Sequence, residues 1–128
     1  MVASLPSETR AIHRFIYYQQ KQPIREPRPT FPPQAPNQTL GAKDAPACLL
    51  PNGRVLCVAD PVDGVSGDYL SPTYFFEFDP QSSTLTAITN QPNSDLQPYQ
   101  RRMLLLPTGE VLFASGTADI EIYEPEDA

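Results

Sequence analysis

Two eight-residue stretches, Leu49-Leu50-Pro51-Asn52-Gly53-Arg54-Val55-Leu56 and Leu105-Leu106-Pro107-Thr108-Gly109-Glu110-Val111-Leu112, read almost identically. Each is followed further on by a run that closes on an acid and a proline: Phe76-Glu77-Phe78-Asp79-Pro80, then Glu121-Ile122-Tyr123-Glu124-Pro125. A unit written twice points to a repeat architecture, in which each copy buries its apolar face against a neighbour. The stretch also carries its own geometry. Pro51 and Pro107 fix φ for the first corner of a type I turn, Gly53 and Gly109 take the left-handed position of a bulge, and Val-Leu re-enters the sheet.

That loop decides the fate of the two cysteines. A three-residue loop at Pro51-Asn52-Gly53 sets Cys48 opposite Leu56 and turns Cys57 to the other sheet face. A two-residue turn at Asn52-Gly53 would instead set Cys48 opposite Cys57. Pro51 favours the first, so two free thiols are expected rather than a disulfide. Two cysteines alone do not complete a zinc site, and no histidine stands nearby.

Outward from the two hairpins, strands are expected at Ala47–Leu50, Arg54–Ala59, Tyr74–Phe78 and Thr84–Thr89, then at Arg102–Leu106, Glu110–Ser115 and Ile120–Tyr123. Residues 60–71 form a polar, glycine-bearing insertion, and residues 90–100 a loop. Pro51 and Pro107 stand 56 positions apart, whereas Pro80 and Pro125 stand 45 apart. Removing the insertion makes the copies coincide, leaving a unit of about 45 residues with four strands.

The N-terminal third reads differently. Ser7 can cap a helix from about Glu8 to Gln20 that sets Ile12, Phe15 and Ile16 on one face, within a segment 1–21. Residues 22–45 read as a linker: Gln22 to Pro36 carries six prolines, which excludes helix and central strand. Two PxxP matches and the glycosylation sequon Asn37-Gln38-Thr39 lie in this stretch.

Charge divides the 128 residues in the same place. Residues 1–44 hold six basic and three acidic side chains, and the remainder three basic and twelve acidic, which gives +3 and −9 within a total of −6. An acidic body argues against nucleic acid or anionic lipid as the main partner, since phosphate recognition rests on Lys and Arg. No apolar run approaches the ~20 residues of a membrane span. Met1 to Ser7 lacks a signal peptide's basic start and apolar core. Either the protein stays where it is made, or the chain is part of a longer one.

The repeated hairpin, the small-residue end Ala114-Ser115-Gly116 and the closing Tyr123-Glu124-Pro125 resemble the kelch-type β-propeller of the broad galactose oxidase-like group. The resemblance covers roughly residues 46–126. It departs at the Gly-Gly doublet that many such blades carry, replaced here by Ala59-Asp60 and Ser115-Gly116, and at the blade tryptophan, since the chain has no Trp. The expected fold is all-β: two consecutive four-stranded antiparallel blades at about 46–90 and 101–128, the second incomplete, after a short helix and a Pro-rich linker. Two blades do not close a ring and leave apolar lateral faces. Further blades in a longer chain, self-association into a ring, or an open stack covered by the N-terminal helix would each satisfy those faces.

The resemblance implies little chemistry. Copper radical oxidases of the group need two histidines, two tyrosines and a cysteine cross-linked to one tyrosine. This chain has one histidine, His13, so that site cannot be built here. No Gly-x-Ser-x-Gly elbow and no glycine-rich phosphate loop appears. The remaining candidate is the insertion, where Asp60, Asp63, Ser66 and Asp68 with flexible glycines offer oxygen ligands to a hard cation such as Ca²⁺, against the plainer reading of an exposed turn. The aromatic set Tyr74, Phe75, Phe76 and Phe78 is expected to fill the core on both faces of its strand. Arg101-Arg102 offers two cations to the acids of a partner, against the plainer reading of two ordinary basic residues.

No catalytic residue and no cofactor is therefore expected. The expected function is a non-catalytic, kelch-like propeller segment that forms a binding or scaffold surface for protein or carbohydrate. The alternative is a piece of an extracellular galactose oxidase-like or carbohydrate-active enzyme whose catalytic residues lie outside this chain. A third option is a small regulatory module that recruits a partner through its helix and PxxP linker.

Overall fold

The computed structural model describes residues 29–89 and 95–126. The segment 1–21 and its expected helix lie outside the described residues. The described residues are all-β and antiparallel, apart from one turn of 3-10 helix at Pro98–Gln100. Among them no helix is long and apolar enough to cross a membrane.

The first sheet is a meander of β2 (Ala47–Leu49), β3 (Val55–Pro61), β4 (Tyr74–Asp79) and β5 (Thr84–Ile88). A short strand β1 (Leu40–Gly41) pairs with the far end of β3, Leu40 against Pro61 and Gly41 against Asp60. The second sheet is a three-stranded meander of β6 (Arg102–Leu105), β7 (Val111–Ala114) and β8 (Ile120–Tyr123). Neither sheet closes on itself.

The two hairpins have the same turn. Leu50 N donates to Arg54 O at 2.8 Å and Gly53 N to Leu50 O at 3.0 Å; Leu106 N donates to Glu110 O at 2.8 Å and Gly109 N to Leu106 O at 2.9 Å. Gly53 and Gly109 have φ of +85° and +93°, the left-handed region that favours glycine. The three-residue loop sets the register, with Cys48 opposite Leu56 and Leu104 opposite Leu112. Both cysteines are free. Cys48 packs on the core between the sheets and Cys57 on the opposite face of the first sheet.

Alternation along the strands builds two apolar layers. Leu56 and Val58 of β3, with Phe75 of β4, face Val111 and Phe113 of β7, and Leu50 joins them. The Phe75 and Phe113 rings meet edge-on at 4.9 Å between centroids and 74°. On the other face of the first sheet, Ala59 and Phe76 are buried together with Leu40. Fully burying each of the Leu, Val and Phe side chains stabilises the fold by about 1.5–3 kcal/mol.

Two differences from the sequence reading have one cause. β3 runs to Pro61, beyond the expected Ala59, because β1 pairs with its last two residues. The residues involved, Leu40 and Gly41, fall inside the stretch 22–45 read as a linker. Farther back in that stretch, the Phe31 ring packs on Phe76 at 5.1 Å, so residues 31–41 act as a strap over the outer face of the first sheet.

Candidate functional site

The insertion does not gather its oxygens around one point. Asp63 folds the loop on itself: its carboxylate accepts from Val65 N at 3.1 Å, Ser66 N at 3.3 Å and Ser66 Oγ at 2.6 Å. These bonds hold its carboxyl below the ordinary carboxylate range, the Ser66 hydroxyl contributing most. Ser66 Oγ in turn accepts from Asp68 N at 3.1 Å, and Asp63 N donates to Asp68 O at 2.7 Å. The loop is a turn built from turn-forming side chains. Asp60 stands apart, buried in β3. Among the described residues, no group of three or more His, Cys, Asp or Glu side chains is arranged to hold a metal ion. Of the candidate set Asp60, Asp63, Ser66 and Asp68, the last three share one turn and Asp60 lies apart from them. Asp68 does border a cleft of about 390 Å³ with Lys43, Tyr69 and Tyr99.

Asp60 belongs to a buried polar cluster that sequence reasoning missed. Burial pushes its carboxyl up to about 6, against the opposing pull of the neighbouring Thr73 hydroxyl and the Arg101 guanidinium. Thr73 Oγ1 donates to Leu96 O at 2.5 Å, and Arg101 donates to the same carbonyl at 3.0 Å. Arg101, read from the sequence as a cation for the acids of a partner, is fully buried. Its guanidinium lies 5.8 Å and 5.3 Å from the ring centroids of Phe75 and Phe113. Strand alternation was the available signal: residues 56, 58 and 60 share one face, as do 101, 103 and 105.

A cleft lies between the ends of the sheets. Among the described residues, β5 is the fourth strand of the first meander, whereas sheet two has the three strands β6, β7 and β8. Ile88 of β5 packs on the core between the sheets, and beyond it the cleft, of about 440 Å³, runs between Thr84 and Thr86 on one side and Tyr123, Glu124 and Glu126 on the other. Glu77 of β4 forms its floor. Tyr123 donates its hydroxyl to Glu77 Oε1, and Arg54 Nη1 lies 3.3 Å from Oε2. Desolvation raises the Tyr123 phenol well above its ordinary value, and the bond to Glu77 raises it further. Asp79, at 4.0 Å from Arg54 Nε, is held below the ordinary carboxylate range first by the Gln81 backbone N–H.

Polar groups that line the cleft engage one another. The phenol keeps its proton, and Glu77 is engaged on both oxygens. Burial pushes the Cys57 thiol up to about 11, the wrong direction for a nucleophile. His13 lies outside the described residues. Comparison of the chain with protein-family models, with curated proteins and with solved structures gives no match.

Proposed function

We propose that this chain is a non-catalytic propeller-type segment of the kelch kind, serving as a binding and scaffold surface rather than as an enzyme. One observation carries the reading. Offsets of 56 and 45 positions align Cys48, Leu56, Val58 and Phe75 with Leu104, Leu112, Ala114 and Ile120. The first set is the side of sheet one that packs on sheet two. The second set lies on the side of sheet two that faces away, where Leu104 is 60% and Ile120 64% exposed. On this reading stacking is head-to-tail, and among the described residues the position where a third unit would pack is apolar and exposed. Such a surface on a lone molecule marks an interaction site.

The test is the association of the full chain. Light scattering should show concentration-dependent assembly, and Leu104→Lys, at an exposed position on β6, should shift it toward monomer. A wild-type chain that stays monomeric at all concentrations overturns the reading.

A further inference from the structure

Asp60, Thr73, Leu96 and Arg101 join sheet one to the segment that leads into sheet two. Continuing the β3–β4 register, in which Ala59 pairs with Tyr74, sets Thr73 opposite Asp60. Both residues are fully buried. Thr73 has one hydroxyl proton, and a carbonyl only accepts, so that proton lies on the bond to Leu96 O. Neither oxygen of Asp60 has a hydrogen-bond partner among the described residues. A buried carboxylate left in this way is costly, whereas a carboxylic acid can donate its O–H to the lone pairs of Thr73 Oγ1. The arrangement therefore belongs to the protonated acid, with Asp60 donating to Thr73 and Thr73 to Leu96. An ionised Asp60 can only accept, and the Thr73 hydroxyl is the neutral donor beside it. Turning that one proton to Asp60 takes it from Leu96 O, which then keeps the Arg101 bond at 3.0 Å.

We propose that this cluster is a proton-operated tether: with Asp60 protonated, Thr73 ties Leu96 to sheet one, and with Asp60 ionised the same hydroxyl turns to the carboxylate and releases Leu96. The residues that follow Leu96 give the tether its reach. Gln97, Pro98 and Tyr99 line the cleft of about 390 Å³ together with Lys43, Asp68 and Tyr69. Arg101 is the charge that acts on Asp60, and Asp95 and Glu121 act in turn on Arg101. β1 brings the uncharged Gly41 against Asp60. Burial raises the Asp60 carboxyl to about 6, so the tether is closed in acid and opens as pH rises through that value. It operates whether or not the chain associates, so the association experiment does not bear on it.

Carbon-13 NMR of the full chain between pH 4 and pH 8 is the test. The Leu96 carbonyl carbon should shift with the same midpoint, about 6, as the Asp60 carboxyl carbon. Asp60→Asn should abolish the Leu96 shift. Thr73→Val should uncouple the two, so that Asp60 titrates while Leu96 stays fixed, and Thr73→Ser, which keeps the hydroxyl, should preserve the coupling. Asp95→Asn and Glu121→Gln should leave the Leu96 titration in place. A Leu96 carbonyl that does not move while Asp60 titrates in the wild type overturns the proposal. So does a Leu96 shift that survives Thr73→Val or Asp60→Asn undiminished, since it then follows another charge. If Asp60→Asn does not fold, the wild-type titration and the two Thr73 variants carry the test.

Discussion

A buried carboxyl such as that of Asp60 makes stability depend on pH with a definite sign. Its folded pKa of about 6 lies above the ordinary 3.8, so between those values the folded chain keeps a proton that the unfolded chain has released. Its contribution is full below about pH 4 and is lost as pH rises through 6, a loss on the order of 1–3 kcal/mol. Denaturant unfolding at pH 4 and pH 7 should show Asp60→Asn losing less stability over that interval than wild type. Equal losses would clear Asp60. The sequence reading placed this residue among loop carboxylates because Pro61 and the glycines follow it. What makes it a strand residue is Gly41, nineteen positions earlier, pairing with it. That contact is not local and leaves no mark near Asp60. The burial of Arg101 was hidden for a related reason: its aromatic cage comes from β4 and β7, strands of two different sheets.

At the scale of elements, the hairpin was the most legible part of the chain, since proline, glycine and β-branched residues each impose a local preference. The register followed from loop length alone, and with it the separation of the two thiols. Gly53 offers a clean test of that reading. A β-carbon there would meet nothing within 4 Å, so any cost of substitution is backbone strain at φ +85°. Gly53→Val should destabilise by about 1–3 kcal/mol, while Gly53→Asn should cost much less, because Asn tolerates the left-handed region. If both variants unfold at the wild-type denaturant midpoint, the turn does not depend on glycine. β1 was not legible. Two residues at the end of a proline-rich stretch carry no strand pattern, and they pair only because Asp60 and Pro61 extend past the reach of β2.

At the scale of the molecule, the two sheets pack through one shared layer and differ in what covers their outer faces. Phe31 and Leu40 lie over the first sheet, whereas among the described residues Leu104, Ile120 and Ile122 of the second are exposed. Removing the strap should expose Phe76. Phe31→Ala is expected to lower stability by about 1–3 kcal/mol, below the range for a fully buried Phe because Phe31 is half-buried, and to increase light scattering at a given concentration. Unchanged scattering would show that the strap contributes packing but does not block association. The difference between the two faces gives the molecule a direction. On the head-to-tail reading proposed above, a further unit would pack on the exposed face of sheet two and not on the strapped face of sheet one.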